Sequence, residues 1–430
     1  MFANRDLLAR SPAHELALDC LAAGIEAAHP RRAVDGHCSV DGDTLTIVDR
    51  EYDLSAYDSI VVLGGGKAAD DIAAAFGTLL GDRLDGGVVV TDEPTASPGR
   101  VTVLEGEHPS PGEGRVSGAR AVLDRAAAAD ADTLVIAAIA GGGSALLCAP
   151  AGELSAGDIR AITDGLLNAG ASIDEINAVR RACSSIKGGG LAAAAAPATV
   201  AGVLVSDVVG DDPAVVASGP TVPTRTDPAA ALGALDRYGL DVPAVREHLS
   251  GIDPTGPADT EVGVHVVASV RDAIDAARDL AVDRGYETCV LSTMIEGEST
   301  AAGRIHAAIG AEAADSGDPV EPPAVILSGG ETTVRVTGDG TGGPNGEFAL
   351  AAAAGLPEGA VLGAVDTDGS DGSTDVAGAL VDDTVADPDA ARDALADNDS
   401  YGFLGSKGRL LRTGPTGTNV NDLRVLVLPA

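Results

Sequence analysis

The stretch SIVVLGGGKAADDIAAAFGTLL, residues 59–80, joins a β-branched apolar run to an alanine-rich segment through three glycines and a lysine. Similar apolar runs, each ending in a glycine-rich or acidic turn, follow at residues 86–92, 133–143 and 199–207. Alanine-rich segments typical of helices lie between these runs. This alternation predicts a parallel β-sheet with helices on both faces.

A loop rich in Pro, Thr and Asp, SGPTVPTRTDP at residues 218–228, interrupts the alternation and is the predicted domain boundary. A helical segment, 227–249, leads from it to a second α/β series with the strands VGVHVVASV, ETCVLSTM, AVILSGGETTVRV, AVLGAVDTDG and VNDLRVLVL. An amphipathic opening helix is predicted over Pro12 to Ala28. We therefore predict an α/β protein with two domains, 1–225 and 226–430.

The charge of the chain excludes some partners. Asp and Glu number 65 against 28 Lys and Arg, which gives a formal net charge of -37, yet 45% of the residues are hydrophobic. This composition indicates a globular protein with an acidic surface that suits high salt. It argues against nucleic acid or an anionic membrane as a partner, because both require a basic surface.

The five cysteines are scattered and form no CxxC pair, so we expect small buried residues and neither a disulfide framework nor a zinc site. No apolar stretch reaches the roughly 18 residues of a membrane span, and the opening MFANRDLLAR lacks a secretory signal pattern. We expect a cytoplasmic protein, and the sequence leaves a homo-oligomer open.

Polar or glycine-rich turns follow nearly every predicted strand. Ligands bind open α/β sheets at the carboxyl ends of the strands, so these turns are candidate site loops. Together in one cleft they would offer N–H groups, hydroxyls and carboxylates that suit a phosphoryl group and its metal. The loops are Gly64 to Lys67, Gly141 to Ser144, Ser206 to Asp212, Ser328 to Thr332, Asp366 to Asp371 and Arg412 to Asp422.

Lysine is rare in this chain. Of the 28 basic residues only three are lysines, and each lies in a glycine-rich setting: Lys67, Lys187 and Lys407. A compact ammonium beside flexible backbone N–H groups suits a phosphate or a carboxylate, which favours a binding role for Lys67 and Lys187. For Lys407 we expect an ordinary surface position.

The acidic loop AVDTDGSDGSTDVAG, residues 364–378, has two interpretations. Asp366, Asp368 and Asp371 follow an apolar strand and could converge on one metal ion, or they could be surface acids of an acidic protein. An EF-hand is excluded, because an EF-hand loop requires glycine at its sixth position and glutamate at its twelfth. Counting from Asp366, these positions are Asp371 and Ala377. We expect Asp382 and Asp383, a few residues downstream, to be surface acids.

Other motifs are weaker. Gly64, Gly66 and Ala69 fit G-x-G-x-x-A after a strand, and an acid, Asp92, ends the next strand, so a dinucleotide site stays an alternative. The loop is not a Walker A motif. GGGSAL lacks the second glycine of a nucleophile elbow, so Ser144 is interpreted as a hydrogen-bonding residue at a helix start. His108 lies in a turn-rich loop, where a structural role is at least as plausible as a catalytic one.

Eight stretches together resemble the glycerate 2-kinases of the MOFRL type. They occur in the family's order and cover essentially the whole chain: VVLGGGKAA, EGEHPSPGEG, AGGGSALL, INAVRRACSSIKGGGLA, SDVVGDDPAVVASGPTVP, LSGGETTVRVTGDGTGGPNGEFALA, DTDGSDGSTDVAGA and TGPTGTNVNDLRV. The resemblance implies a Rossmann-like N-terminal domain and a C-terminal MOFRL domain with the active site in the cleft between them. It also implies phosphorylation of D-glycerate at the 2-hydroxyl with ATP and a divalent cation, for which we expect Mg2+.

The resemblance and the loop analysis together give a set of expected site residues. Lys67 and Asp207 are expected to be catalytic, with Asp207 orienting or deprotonating the attacking hydroxyl. Asp366, Asp368 and Asp371 are expected to hold the metal. Substrate or phosphate binding is expected at Gly64, Gly65, Gly66, Gly142, Gly143, Ser144, Arg180, Lys187, Ser328, Gly329, Gly330, Glu331, Thr413, Gly414, Thr416, Thr418 and Asn419, with GGGSAL and Arg180 assigned to glycerate.

The chain departs from the family at GGPNGEFAL, where the family commonly reads GGRNQEFAL. Pro344 and Gly346 replace an arginine and a glutamine, so a role of that arginine does not transfer to this chain, and Arg412 or Arg180 could place a guanidinium in the same cleft. Two other functions stay open: an NAD(P)-dependent hydroxypyruvate reductase or glycerate dehydrogenase, and a nucleotide sensor without catalysis.

The acidic surface yields a prediction about salt. Raising NaCl or KCl from a low to a molar concentration should raise the melting temperature, because the Debye length falls to ~3 Å and the self-repulsion of the surface weakens. Thermal denaturation over a salt series checks this. An unchanged melting temperature would contradict the interpretation of the surface.

Overall fold

The computed structural model describes residues 1–106, 113–254, 261–385 and 387–430. The chain forms two compact units. Residues 33–267 form the parallel-sheet unit, and residues 1–32 with 268–430 form the mixed-sheet unit. His108 lies outside the described residues.

Helices occur throughout both units. Within the described residues they are α1 (Arg5–Leu8), α2 (Pro12–Ala27), α3 (Pro30–His37), α4 (Ala69–Leu80), α5 (Glu113–Ala127), α6 (Gly143–Leu146), α7 (Ala156–Asn168), α8 (Ile173–Ala182), α9 (Gly190–Ala195), α10 (Pro228–Tyr238), α11 (Pro243–Gly251), α12 (Val270–Asp283), α13 (Ser299–Ser316), α14 (Pro344–Ala353), α15 (Pro388–Ala396) and α16 (Ser400–Ser406).

The strands form three sheets. In the same part of the chain they are β1 (Cys38–Asp41), β2 (Thr44–Ile47), β3 (Arg50–Asp53), β4 (Ser59–Gly65), β5 (Gly86–Thr91), β6 (Val101–Glu105), β7 (Thr133–Ile139), β8 (Thr199–Val205), β9 (Val262–Ala268), β10 (Glu287–Glu298), β11 (Ala324–Thr333), β12 (Val361–Asp366), β13 (Gly378–Asp382), β14 (Leu410–Leu411) and β15 (Asp422–Leu428). Strands β1, β2 and β3 form a small antiparallel sheet.

The large sheet of the parallel-sheet unit has the order β6-β5-β4-β7-β8-β9. The β4–β5, β4–β7, β5–β6 and β7–β8 pairs are parallel. Numbered from β4, this is the strand order 3-2-1-4-5-6 of dinucleotide-binding Rossmann folds. The predicted Rossmann-like parallel sheet is therefore confirmed.

The opening stretch forms the centre of this sheet. Val61, Val62 and Leu63 of β4 are fully buried, because strands and helices cover both sides of the strand. Gly64 has φ 153° and lies so close to β7 that a Cβ would overlap the carbonyl oxygen of Ala138. Only glycine fits such an approach, so the glycine turn fixes how β4 and β7 end side by side.

The sheet of the mixed-sheet unit has the order β10-β11-β15-β12-β13-β14. The β10–β11 pair is parallel, and the remaining pairs are antiparallel. Successive side chains of β15 point to opposite faces of the sheet. Leu426 and Leu428 join a core with Phe348 of α14 on one face, and Leu423 contacts Gly24 of α2 on the other. Helices therefore cover both faces of this sheet, and α2 belongs to it although it comes first in the chain.

The compact units do not follow the predicted domains 1–225 and 226–430. Residues 1–32 pack with the C-terminal sheet, and β9, predicted for the second series, is the sixth strand of the parallel sheet. Helices α10 and α11 bury Leu235 and Leu249 in a cluster with α7 and α8. Burial of these apolar faces decides the division, and the proline-rich loop is a connection inside one unit.

A second expectation fails at Ser328 to Thr332, which is not a turn. Strand β11 runs through these residues to Thr333, because β10 pairs with one edge and β15 with the other. The predicted helix from Pro12 is confirmed as α2. Four cysteines are buried, Cys289 is partly exposed, and all five are free.

Among the described residues, no helix combines the length and the apolar character that crossing a membrane requires.

Asp382 is not the surface acid that we expected. Its side chain is buried, and its Oδ2 lies 2.8 Å from Arg10 Nη2 and 3.1 Å from His14 Nε2. Burial alone would raise the pKa of Asp382, but hydrogen bonds from Thr384 and the charges of Arg10 and Arg409 hold it below its ordinary value. The neighbour Asp383 is exposed, as expected.

We predict that Asp382→Asn lowers the free energy of unfolding by about 1–3 kcal/mol at neutral pH, because it removes the charge that pairs with Arg10. A carboxyl whose pKa is lower in the folded state stabilises the fold above its unfolded pKa, about 3.9, and loses this contribution as pH falls through the folded value.

Urea denaturation of the wild type, Asp382→Asn and the matched control Asp383→Asn between pH 3 and 7 checks this. The difference between wild type and Asp382→Asn should vanish at the acid end. A constant difference at every pH would assign the effect to packing and not to charge.

Candidate functional site

Three predicted loops meet at the carboxyl edge of the parallel sheet: the turns after β4, β7 and β8. The Lys67 N–H donates to the Gly141 carbonyl oxygen at 2.8 Å. A Cβ on Gly142 would lie 3.1 Å from Lys67 Cγ, and one on Gly141 would overlap the Asp207 carboxylate. The structure therefore brings the predicted catalytic pair, Lys67 and Asp207, against the same two glycines.

The glycines of the β4 turn allow neighbouring backbones to approach closely. Gly66 has φ 140°, and a Cβ there would overlap the backbone of Ala140. A Cβ on Gly143 would lie 3.0 Å from the Gly65 carbonyl oxygen. These approaches set the spacing between the two turns, and the N–H groups of Gly66 and Gly143 donate to the carbonyl oxygens of Val90, at 3.0 Å, and Ala140, at 3.1 Å.

Asp207 and Lys67 influence each other electrostatically. Removal from water raises the pKa of Asp207, while backbone N–H groups, including that of Gly142, and the Lys67 ammonium lower it. A carboxylate in such surroundings holds a proton more readily than one in water. This property suits a group that accepts a proton from a substrate hydroxyl.

A cavity of about 210 Å3 lies beside this edge. Four predicted binding residues line it: Gly142, Ser144, Arg180 and Lys187. Cys148 and Cys183 lie in the same wall. The sequence therefore predicted part of the polar lining, although Arg180 and Lys187 are far from Ser144 in the chain, and it missed Arg160, Thr163, Asp164 and Ser184.

Lys187 is the most unusual cation of the cavity. It is only 7% exposed, and its Nζ donates to the Ser144 carbonyl oxygen at 2.7 Å. Burial first, and then the nearby charge of Arg180, lower its pKa to about 7. Burial also lowers the pKa of Arg180. Within residues 1–106, 113–254, 261–385 and 387–430, neither cation has a carboxylate within 4.0 Å, so the pair is electrostatically prepared for an anionic ligand.

The start of α4 is already acidic. Asp70 and Asp71 occupy its first turn and are buried, and Asp70 Oδ2 accepts the N–H groups of Thr95 and Ala96, each at 2.8 Å. A dinucleotide would place its pyrophosphate at this helix start. Two carboxylates there repel such a group, which disfavours the dinucleotide alternative.

A second group of predicted residues lies at one end of the mixed sheet. Asp366 ends β12 and is directly opposite Asp422 of β15 in the antiparallel register. The Asp368 N–H donates to Asp366 Oδ1 at 3.0 Å. Burial, followed by the charges of Asp368 and Asp422, raises the pKa of Asp366 well above its ordinary value. This concentration of negative charge would be relieved by a proton or a cation.

Asp371 has a different partner set. Its two oxygens accept the N–H groups of Asn345, at 2.8 Å, and Gly346, at 2.7 Å, in the first turn of α14. Burial raises its pKa to about 7 in spite of these bonds. Asp371 therefore fixes the start of a helix, and its oxygens are less available to a metal than those of Asp366 and Asp368.

The three predicted metal ligands do not form a ready-made cage. No group of three or more His, Cys, Asp and Glu side chains in the described part of the chain is arranged to hold a metal ion. A hard cation that keeps most of its waters requires only one or two carboxylates. Asp366 and Asp368 fit that description, and the metal site stays a prediction centred on these two residues.

The C-terminal loop packs onto the acidic loop. The Thr416 N–H donates to the Asp368 carbonyl oxygen at 3.2 Å, and a Cβ on Gly369 would lie 2.8 Å from Thr413 Oγ1 and overlap the Gly414 carbonyl oxygen. Thr418 Oγ1 donates to the Ala28 carbonyl oxygen, which gives it a structural partner.

Two further predicted residues of the mixed-sheet unit have partners in the fold. Asn419 Oδ1 accepts the N–H group of Asn421 at 3.0 Å. Ser328 Oγ lies 2.7 Å from His306 Nε2, inside the core. Gly329 and Gly330 pair with Leu423 and Asp422 across the β11–β15 register. The exposed Glu331 is the next residue of the strand.

Several residues near these sites were missed from the sequence. Asp422 was only the end of a candidate loop, yet Arg424 Nη2 donates to its Oδ2 at 2.6 Å and Asn345 Nδ2 to its Oδ1 at 2.7 Å. The alternation of Asp422 and Arg424 along a strand could have indicated a pair on one face. Nothing local in the sequence marked Ser218, whose Oγ lies 2.7 Å from Ser144 Oγ, or Asn177, whose Oδ1 accepts from Ser218 Oγ at 3.0 Å.

Of the two arginines considered as substitutes for the family's arginine, Arg412 belongs to the mixed-sheet unit and already has partners there. Pro344 begins α14, a position that suits proline. Arg412 Nη1 pairs with Asp375 Oδ2 at 2.7 Å, and its Nη2 contacts Tyr401. Arg180 lines the cavity of the parallel-sheet unit and, among the residues that the structure describes, has no carboxylate within 4.0 Å.

Comparisons with known proteins agree with this architecture. Residues 16–250 match the family described as "Domain of unknown function (DUF4147)", and residues 324–422 match the MOFRL family. A D-glycerate 2-kinase from Thermotoga maritima is 37% identical over 95% of this chain and 97% of its own length. A protein from Agrobacterium vitis that carries the provisional name hydroxypyruvate reductase is 42% identical over 86% of this chain and 87% of its own.

A solved structure gives the same result. The crystal structure of a glycerate kinase from Thermotoga maritima matches with a TM-score of 0.85 and 35% identity, covering 96% of this chain and 99% of that one. Likeness of this extent spans both sheets and the loops that carry the predicted site residues. The chain belongs to the glycerate 2-kinase family of the MOFRL type.

Proposed function

We propose that this protein transfers the terminal phosphoryl group of ATP to the 2-hydroxyl of D-glycerate. The proposal rests on the cavity beside the Lys67 and Asp207 edge, whose wall contains Arg180 and Lys187 together with a third cation, Arg160, and one acid, Asp164. A small hydroxy acid presents a carboxylate for the cations and a hydroxyl for the aspartate. Family membership supports a kinase as the enzyme class.

Each residue then has a distinct role. Lys187 and Arg180 bind the carboxylate, and their burial strengthens this attraction because little water competes. Asp207 orients the 2-hydroxyl and accepts its proton as the new P–O bond forms. The Lys67 ammonium stabilises the negative charge on the phosphoryl oxygens.

We further propose that Mg2+ accompanies ATP and is held by Asp366 and Asp368. When bound, the ion would neutralise charge on the phosphate oxygens. The strongly raised pKa of Asp366 supports this assignment, because the repulsion behind it is what a cation relieves. Asp371 contributes by fixing the start of α14.

A reductase is the second candidate, because relatives carry that provisional name and the strand order is that of Rossmann folds. The buried acids Asp70 and Asp71 at the start of α4 argue against it, since a dinucleotide pyrophosphate would meet them.

Two assays on the same preparation separate the candidates. In molar salt, D-glycerate and Mg-ATP should release ADP, and phosphorus NMR should identify 2-phosphoglycerate. Hydroxypyruvate should not accelerate NADH oxidation. Product at the 3-position would contradict the regiochemistry, NADH oxidation without ADP release would favour the reductase, and ATP binding without turnover would favour a sensor.

We predict that Lys67→Ala lowers turnover by roughly 100-fold or more, the scale of losing one preorganised electrostatic donor. Lys407→Ala is the matched control, because Lys407 lies on the surface over the Phe403 ring. Steady-state ADP release measures both variants. Equal effects of the two substitutions would contradict a special role for Lys67.

We predict that Asp366→Asn and Asp368→Asn each weaken the apparent affinity for magnesium and lower turnover. Their melting temperatures should stay level or rise, because each change removes repulsion between half-buried acids. Asp383→Asn, an exposed acid of the same unit, is the control. If magnesium titrations of both variants match the wild type, the acids of this loop are surface acids and do not hold the metal ion.

A further inference from the structure

A chain of three polar side chains leads from the cavity into the core of the parallel-sheet unit. Ser144 Oγ lies 2.7 Å from Ser218 Oγ, and Ser218 Oγ donates to Asn177 Oδ1 at 3.0 Å. Ser218 is fully buried and Asn177 is 2% exposed, whereas Ser144 lines the cavity. The chain therefore ends at the cavity on one side and at a buried amide on the other.

The protons of this chain have only one arrangement. An amide oxygen can accept but never donate, so Ser218 donates its single hydroxyl hydrogen to Asn177. Ser218 then has only lone pairs for Ser144, and Ser144 must donate to it. The Ser144 oxygen is left with lone pairs alone, so it can bind a ligand only as an acceptor.

The backbone holds this arrangement in place. Ser218 and Ala217 have φ values of 63° and 51°, in the left-handed region that residues other than glycine seldom adopt. Such a conformation persists when its surroundings fix it, and it is frequent at functional sites. The N–H of Gly188 donates to the Ser218 carbonyl oxygen at 3.0 Å, so this segment also anchors the turn after Lys187.

The proposed function supplies the donor that Ser144 requires. Glycerate has a carboxylate, which the cations of the cavity attract, and two hydroxyls. The 2-hydroxyl gives its proton to Asp207 during transfer. The hydroxyl on C3 is the remaining donor of the substrate, and it keeps its proton throughout the reaction.

We propose that Ser144, held as an acceptor by Ser218 and Asn177, binds the C3 hydroxyl of the substrate and selects glycerate over 2-hydroxy acids that lack it. Asn177 and Ser218 are positioning residues in this proposal, which rests on the proposed function. D-Lactate, with hydrogen in place of the C3 hydroxyl, would leave the Ser144 lone pairs without a partner.

The test is the ratio of kcat/KM for D-glycerate to kcat/KM for D-lactate, measured by ADP release. The wild type should favour glycerate by tenfold or more. Ser144→Ala should lower this ratio by about five- to tenfold, because kcat/KM should fall for D-glycerate and stay level for D-lactate. Ser218→Ala should lower it in the same direction, and it keeps the test available if Ser144→Ala does not fold.

Two further variants distinguish positioning from general damage. Asn177→Asp keeps an acceptor toward Ser218 and should retain the wild-type ratio even if its melting temperature falls. Ser155→Ala removes the N-terminal cap of α7, a helix with residues in the cavity wall, and should also retain the ratio.

The outcomes separate the two proposals. No ADP release from glycerate would overturn the proposed function. Release from glycerate with an unchanged ratio in Ser144→Ala and Ser218→Ala would overturn the role of Ser144, and so would equal losses with both substrates.

Discussion

The close approach of glycine-rich backbones at the ends of β4 and β7 is the constraint on which the site of the parallel-sheet unit depends. Gly64 lies against Ala138, and the glycines that follow β7 leave room for Lys67 and Asp207. A Cβ at these positions would push the turns apart. The sheet therefore provides more than a scaffold, because its central pair of strands sets the spacing between the cation and the carboxylate.

The candidate site of the mixed-sheet unit contains carboxylates that repel each other, whereas the cavity of the parallel-sheet unit contains basic side chains. Asp366 faces Asp422 across the β12–β15 ladder, and Arg424 compensates only part of the charge. Like charges in this relation destabilise a sheet unless a proton or a cation joins them. We interpret this as the cost of a site that binds a metal together with a phosphate.

Periodicity and glycine turns were enough to predict the α/β class and the loops after β4, β7 and β8, because these features are local in the sequence, whereas Ser328 to Thr332, predicted as a turn, continues β11. The division into units was not local, since α2 packs on the C-terminal sheet and β9 completes the first one. The role of Asp371 also depended on the start of α14, and the buried environment of Asp382 on Arg10, far away in the chain. Such pairings depend on tertiary packing between distant segments, which local sequence patterns do not predict.

We propose that the cavity holding Lys187 and Arg180 receives the carboxylate of a hydroxy acid. A crystal structure of the protein soaked with D-glycerate tests it most directly. We predict density for glycerate in this cavity, with its carboxylate within hydrogen-bond distance of Lys187 Nζ or the Arg180 guanidinium. Glycerate bound away from both cations would contradict the account.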